Sequence, residues 1–514
     1  MASTSEFANN CYFFSFSIIA TLLVHSFIKI CTNFRSKARH PPSPPALPII
    51  GHLHLLSSKL PKSFETLAKR YGPLFQLRIG TSTFLVVSEA SLAKEMLKTH
   101  DVDFASKFVF GPSQHMIYKD GSFIKGAYGT YWRFMRKLCM TKLFAGPQIE
   151  RFIHIREQET LKLLKSLVTK SSNGEECDLS MELPALTNSM ICRMAMGKKW
   201  SQNPNLPVEI RKLVRAIMGY GAKLGFTDVF GPLKKFDLSG YGKKLTEALW
   251  AYDRLLEQNI KDYENSEVNG SEKDEKDVMD ILLETYRDTN SEVELTRERI
   301  KFFFLELFLA GVDTTAATIE WAMVELINNP HISKKLRLEI ESVVGSSRLV
   351  KESDVPKLPY LQAVLKETLR IHPPGPLLRR QCNRDCQING FDIKEGTKVF
   401  INAYVIMRDP KTWNEPDKFI PERFLINSTE NLEMGSSKGQ DFHFLPFGSG
   451  RRACVGESHA SIVMHTTVGA LIQCFDWKVK GEEKVDVEVV TGYAGAMAHA
   501  LVCYPITYFD PFKA

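Results

Sequence analysis

The chain has 514 residues, 44% of them apolar and 24% charged, with a formal net charge of +7. This is the balance of a globular protein with a large core, and no Lys/Arg run is dense enough for nucleic acid; the mild excess of positive charge fits an anionic membrane surface or an acidic protein partner. Ten scattered cysteines without a C-x-x-C exclude a disulfide framework and a zinc site, and read as reduced thiols facing the cytosol.

Residues 11–28 (CYFFSFSIIATLLVHSFI) carry no charge and reach the lower limit of length for crossing a hydrocarbon core of about 30 Å. Lys29, Arg35, Lys37 and Arg39 follow, and no Lys or Arg comes before. Positive charge on the C-terminal side places that side in the cytosol, and a cleaved signal peptide lacks both its charged leading region and its small-residue cleavage site. Residues 1–30 are expected to be a single-pass signal anchor in the endoplasmic reticulum membrane. The sequons at Asn269 and Asn427 would then face the cytosol and stay bare.

Residues 31–50 are basic and proline-rich (PPSPPALP at 41–48), a stiff extended spacer because proline fixes φ and lacks an N–H donor. Phe75–Ile79 alternates apolar and polar, Gly80-Thr81-Ser82 breaks the pattern, and Thr83–Val87 resumes it, which predicts a hairpin. Apolar spacing near 3.6 predicts helices over 147–168, 207–225, 242–263, 277–287, 296–328 and 331–344. Residues 264–276 (ENSEVNGSEKDEK) read as a solvated loop. No repeat or interior linker appears, so residues 51–514 are expected to form a single catalytic domain, mainly α with a small β region.

Near the C-terminus stands Phe447-Gly448-Ser449-Gly450-Arg451-Arg452-Ala453-Cys454-Val455-Gly456, followed by an apolar, helix-like stretch. Glycines let backbone approach a flat ligand and turn N–H groups toward a sulfur, and such donors with nearby positive charge favour thiolate. One thiolate held this way suits the axial ligand of a haem iron. Gly448–Ala453 formally matches G-x-G-x-x-A, but Pro446 interrupts the preceding segment and two arginines fill the turn, so a dinucleotide site is rejected. Upstream, Ala310-Gly311-Val312-Asp313-Thr314-Thr315 interrupts a long apolar helix with residues that loosen it locally, so that a water could enter and the Asp-Thr pair relay protons.

The pattern Phe-x-x-Gly-x-Arg-x-Cys-x-Gly resembles the haem-binding signature of the cytochrome P-450 monooxygenases, and the whole chain looks most like their plant microsomal A-type members. The resemblance implies a haem-thiolate fold behind an N-terminal transmembrane helix, with Cys454 as the axial ligand of haem b and Phe447, Gly448 and Gly456 shaping its loop. It implies that Thr314 hydrogen-bonds bound oxygen and that Asp313 helps deliver protons; Glu306 falls where the family often has an acid, with no assigned role. Trp132 and Arg136 resemble the family's W-x-x-x-R contact to haem propionates, and Arg380 and Arg452 match its other propionate-binding positions. Glu367 and Arg370, three apart on one helix face, resemble the E-x-x-R pair that joins Arg423 of Pro421-Glu422-Arg423-Phe424 in a structural triad. Val455, where proline is frequent, and Arg379, an added charge beside Arg380, are small departures.

By family position Phe108, Tyr118, Phe303, Leu307, Ala310, Leu377, Tyr493 and Met497 would line an apolar substrate pocket. The resemblance implies O2 chemistry with electrons from NADPH through a membrane-bound NADPH–cytochrome P-450 reductase, docked near Lys137, Arg451 and Arg452, since nothing in the chain is built to hold NADPH or flavin. The expected substrate is a pentacyclic triterpenoid, hydroxylated once or repeatedly to an acid, with a flavonoid as the alternative. A haem-thiolate isomerase or dehydratase, which usually lacks the threonine of Asp313-Thr314, and a non-enzymatic haem sensor are the competing classes.

Overall fold

The computed structural model describes residues 39–108, 116–118, 121–201, 205–223, 237, 240–268, 276–425, 442–481, 484–485, 497 and 499–513. The expected anchor, both sequons and Tyr493 lie outside the described residues.

The longer helices are α1 (Leu60–Tyr71), α2 (Thr130–Leu138), α3 (Ile153–Asn173), α4 (Leu179–Ser201), α5 (Leu206–Lys223), α6 (Tyr241–Val268), α7 (Val278–Arg287), α8 (Arg297–Gly311), α9 (Asp313–Asn328), α10 (Pro330–Val344), α11 (Pro359–Ile371) and α12 (Glu457–Cys474). The strands are β1 (Leu74–Ile79), β2 (Ser82–Val87), β3 (Cys177–Asp178), β4 (Leu377–Gln381), β5 (Cys386–Ile388), β6 (Phe391–Ile393), β7 (Lys398–Asn402), β8 (Phe475–Lys478) and β9 (Val502–Thr507). They form a four-stranded sheet in the order β1-β2-β7-β4, a β3-β9-β8 sheet and a β5-β6 pair. The expected hairpin is β1–β2, with Ile79 paired to Ser82 and Gly80 at φ 56 in the two-residue turn.

α9 is the centre of the helical packing: it touches α4, α10, α11 and α12, and most of its side chains are buried. The single long helix expected over 296–328 is two. Thr296 caps α8 by accepting from Arg299 N, the axis breaks at Val312 (φ −81, ψ −69), and α9 starts at Asp313. The apolar run Arg297–Asn328 is long enough to cross a membrane, but it is largely buried and serves as this core.

Other boundaries also shift. The helix expected over 147–168 is interrupted at Phe152 (φ −91, ψ 11), giving Gly146–Arg151 and then α3. The charged stretch expected to be loop from Glu264 instead continues α6 as far as Val268, because Glu264 is held by Arg297 of α8 (2.9 Å). α1 and α4 are not among the helices expected from apolar spacing; α4 is buried on several sides, so it carries no clean apolar stripe. The proline-rich spacer is docked rather than free. Gln76 N donates to Pro42 O (2.8 Å), His52 Nε2 meets Pro44 O (2.7 Å) and Arg39 exchanges hydrogen bonds with Asp392.

Gly197 bends the C-terminal end of α4 at φ 63, and a Cβ there would lie 2.4 Å from Asp277 Oδ2. Gly197→Ala should cost more than about 1 kcal/mol through left-handed strain alone and lower the unfolding midpoint. Gly219→Ala, in α5 with open space around it, should leave the midpoint unchanged or raise it slightly; the comparison is read by urea denaturation.

Candidate active site around Cys454

The loop before α12 is a set of tight turns. Gly448 N donates to Leu445 O (3.1 Å) and Cys454 N to Phe447 O (3.0 Å), with Gly448 and Gly450 at φ 71 and 72. Only glycine fits at 450, since a Cβ would lie 2.6 Å from Leu97 O. The Cys454 side chain is accessible to solvent even though protein surrounds it closely, so it opens onto a cleft rather than the outer surface.

Gly456 N–H points at the sulfur. The expected preference for thiolate needs correction all the same. Burial pushes the Cys454 thiol up and outweighs the Gly456 N–H, Lys107 and Arg136, which act the other way. A metal ion bound there would supply the missing push, because coordination deprotonates a thiol outright.

The predicted cations converge on this loop. Trp132 and Arg136 lie one turn apart on α2; Arg136 donates to Ala453 O (2.6 Å), and the Arg452 guanidinium sits 4.4 Å over the Trp132 ring. Arg380, on β4, donates to Ser449 O (3.2 Å). Arg452 is buried and donates to the carbonyls of Ala105, Phe123 (3.4 Å) and Gly126 (2.5 Å), so it is withdrawn from any partner-docking face. Arg451 is half exposed and paired with Asp101 (3.2 Å), and Lys137 is exposed.

Lys107, which the sequence reading missed, joins them. Burial, with Arg380, Arg379 and Arg452 beside it, pushes its ammonium down to about 7, and burial likewise lowers Arg380 to about 10 and Arg452 to about 9. No carboxylate pairs with Lys107, Arg136, Arg380 or Arg452 among the described residues. A cleft lined by an accessible thiol on one side and uncompensated cations on another fits a planar dianion with a metal at its centre, as haem is.

The E-x-x-R pair is wholly buried. Arg370 makes two bonds to Glu367 (2.7 and 2.9 Å), and Arg423 Nε (3.0 Å) and Ile420 N (2.9 Å) add to the same carboxylate. Arg370 also donates to Met407 O (3.0 Å) and Pro416 O (2.7 Å), and Met407 Sδ accepts from Leu445 N (3.3 Å). Through Met407 and Leu445 the triad reaches the turn that holds Cys454.

In the middle of α8 and α9, Leu307, Ala310, Gly311 and Thr314 are partly accessible and spaced three or four residues apart on one face. Thr314 Oγ1 donates to Ala310 O (2.6 Å), and Thr187 Oγ1 of α4 donates to Val312 O (3.2 Å), so two side-chain hydroxyls take up carbonyls at the break. Burial raises the Asp313 carboxyl, opposed by Arg215 and Arg211 of α5. Val455, next to the thiol, packs in the apolar cluster that contains Phe303 and Leu307.

The remaining pocket residues are dispersed. Tyr118 stacks on Phe302 (5.2 Å) and donates to Asp253 (2.8 Å), Phe108 packs between Phe84 and Phe400 in the cluster of the four-stranded sheet with Leu377, and Met497 belongs to the main core. Glu306 gains a partner: its carboxylate accepts from Ser122 Oγ (2.5 Å), Phe123 N (2.7 Å) and Ile124 N (3.1 Å), fixing the segment whose carbonyls hold Arg452. No local signal marks Lys107, Thr187 or this role of Glu306, since each partner is remote in the chain.

Removing one member of the buried triad leaves an unpaired charge. Arg370→Ala or Glu367→Ala should cost about 3–5 kcal/mol and yield protein that retains little haem, as measured by denaturant unfolding and pigment content.

The cytochrome P450 family model matches residues 41–495. The chain is 41% identical over 498 residues to the 3,9-dihydroxypterocarpan 6A-monooxygenase of Glycine max, covering 95% of this chain and 96% of that protein. It is 40% identical over 502 residues to the beta-amyrin 24-hydroxylase of the same plant, covering 96% and 97%. A solved zebrafish cytochrome P450 structure with abiraterone superimposes with a TM-score of 0.72 at 27% identity, covering 87% of this chain and 99% of that one. The accessible thiol loop, the cations around it and full-length relatives that are monooxygenases converge: this chain belongs to the cytochrome P450 family and is a haem-thiolate monooxygenase that works with haem b, O2 and electrons supplied from NADPH by a reductase.

Proposed function

We propose that this enzyme hydroxylates a pentacyclic triterpenoid, once or in successive steps at one methyl, at a cytosolic domain tethered to the endoplasmic reticulum membrane. The observation that carries the site assignment is the meeting of the accessible Cys454 loop with the accessible stripe on α8–α9 in one apolar cluster. The substrate class rests on that cluster's aromatic and aliphatic lining, which suits a rigid hydrocarbon skeleton, and on the relative named for beta-amyrin. The relative named for a pterocarpan favours a flavonoid as the second reading. Residues 1–30 serve as the anchor, 31–50 as a hinge that seats on β6 at Arg39 and on β1 at Pro42, and 51–514 as the catalytic domain.

Haem bound at Cys454 supplies the reductive activation of O2, so that one oxygen atom enters a C–H bond and the other leaves as water. The chain's own residues do the rest. Arg136, Arg380 and Arg452, with Lys107, neutralise the propionates and hold the ring against the loop. Phe303, Leu307 and Ala310 exclude water and orient the substrate. Thr314, fixed by its bond to Ala310 O, offers its hydroxyl oxygen to an incoming proton donor, and Asp313 passes protons from the side of Arg215, which is exposed. Glu367, Arg370 and Arg423 take no part in proton movement. Lys137 and Arg451 are the cations available to an acidic reductase surface.

Reduced with carbon monoxide, the wild type should show the red-shifted Soret band of thiolate ligation, and Cys454→Ser should lose it; the same band in both would remove Cys454 from the iron. Thr314→Ala should keep consuming NADPH while product per NADPH falls severalfold, whereas unchanged coupling would end the role assigned to that hydroxyl. Reductase-supplemented microsomes given a panel of triterpenes and flavonoids, with products identified by mass, decide the substrate class: exclusive turnover of flavonoids would replace the triterpenoid reading.

A further inference from the structure

Three carbonyls around the break between α8 and α9 accept from side-chain hydroxyls. Thr314 Oγ1 donates to Ala310 O (2.6 Å) and Thr318 Oγ1 to Thr314 O (3.0 Å), each reaching four residues back along the same stretch of chain. The third donor comes from outside: Thr187 Oγ1 of α4 reaches Val312 O at 3.2 Å across 125 positions of sequence. Backbone bonds at Val312 are long, with Val312 N on Phe308 O at 3.4 Å and Ala316 N on Val312 O at 3.2 Å. A hydroxyl that draws this carbonyl sideways therefore acts where the ladder is already slack.

α4 is held close enough to deliver that hydroxyl. Thr187 is buried, and Ile191, one turn further on the same face, sits where a Cβ on Gly311 would lie 3.2 Å from its Cδ1. The neighbouring Asn188 donates to Pro207 O (2.9 Å) in the first turn of α5, and Arg211 of α5 donates back to Met181 O (3.5 Å). α4 thus braces both the break and the helix that carries Arg211 and Arg215, the cations that oppose the rise of the Asp313 carboxyl.

We propose that Thr187 is a positioning residue for proton delivery: its hydroxyl holds Val312 O out of the regular ladder and so sets the turn from which Asp313 and Thr314 serve the cleft. This rests on the roles given above to Asp313 and Thr314. The carbonyl of Val312 and the N–H of Asp313 belong to one rigid peptide plane, so fixing the first aims the residue that follows. Without the hydroxyl, Val312 O falls back to Ala316 N alone, the turn tightens, and protons arrive late. Coupled turnover converts substrate, O2, NADPH and a proton into hydroxylated product, water and NADP+. When protons arrive late, O2, NADPH and a proton give hydrogen peroxide and NADP+ instead.

The test uses the full-length, haem-loaded chain with reductase in microsomes, and the member of the triterpene and flavonoid panel that turns over fastest. Thr187→Val keeps the shape and removes the hydroxyl. Its ratio of product to peroxide should fall about fivefold, the effect of one net hydrogen bond, with pigment content and the reduced carbon monoxide spectrum unchanged. Product formation should slow more in D2O than it does for the wild type. Thr187→Ser should restore the ratio, and adding Thr187→Val to Thr314→Ala should lower it little further, since both act at one turn. Wild-type coupling in Thr187→Val overturns the proposal and leaves the hydroxyl to Leu183 O (3.1 Å) and Pro184 O (3.3 Å) of its own helix. So does a Thr187→Ser variant as uncoupled as Thr187→Val, which would make the methyl group the cause. If Thr187→Val loses haem, Thr187→Ala is compared with Thr187→Ser, and equal coupling in those two overturns it. Coupled turnover by Thr314→Ala would remove the role of Asp313 and Thr314 and this inference with it; an uncoupled Thr314→Ala beside a coupled Thr187→Val removes this inference alone.

Discussion

The buried carboxylate of Glu367 is the interaction on which the cysteine loop depends. A charge with no exposure survives inside a protein only when every lone pair is engaged, and here two arginines and a backbone amide do so. Arg370 completes the arrangement by binding the carbonyls of Met407 and Pro416. The Met407 sulfur then holds Leu445 N, and Leu445 O in turn accepts from Gly448 N. A short polar relay thus runs from the end of α11 to the turn that exposes one thiol in a core that is elsewhere packed.

The opposite wall is organised by a second buried carboxylate. Glu306 on α8 binds a hydroxyl and two amides of residues 122–124, and the same stretch offers Phe123 O and Gly126 O to Arg452. The central helix and the cysteine loop are therefore joined through a segment belonging to neither. Burial raises the Glu306 carboxyl, and the hydrogen bonds from Ser122, Ile124 and Phe123 hold it back. With Glu367 engaged by Arg370 and Arg423, and Glu306 by neutral donors, neither carboxylate pairs with the cations around the cysteine loop.

The break at Val312 follows from the same accounting of backbone groups. A glycine, a threonine bonding back to Ala310 and a threonine reaching over from α4 each weaken the regular ladder at one place. Space at Gly311 is limited, since a Cβ would lie 3.2 Å from Ile191, so α4 can approach there only because the side chain is absent. The loosened turn lies on the accessible stripe, where Thr314 and Asp313 are offered to the cleft while Trp321, further along α9, stacks on His372 at 3.9 Å and anchors the helix.

How much could be read beforehand followed from sequence distance. The ten residues Phe447–Gly456 are contiguous, and backbone constraints at glycine, a thiol and flanking arginines are local chemistry, so the family and its cofactor were legible in the chain itself. The β1–β2 hairpin and most helices were legible for the same reason, through turn residues and periodic burial. Helix ends were less so: α6 outran its expected end because Arg297, thirty-three residues away, holds Glu264. What only tertiary structure decided were the partners of charged groups: Arg452 withdrawn beneath three carbonyls, Glu306 bound to a loop more than 180 residues distant, and Lys107 brought into the field of Arg380, Arg379 and Arg452. A charge acts over ångströms in space rather than positions in the chain, so its role appears only when distant segments are packed side by side.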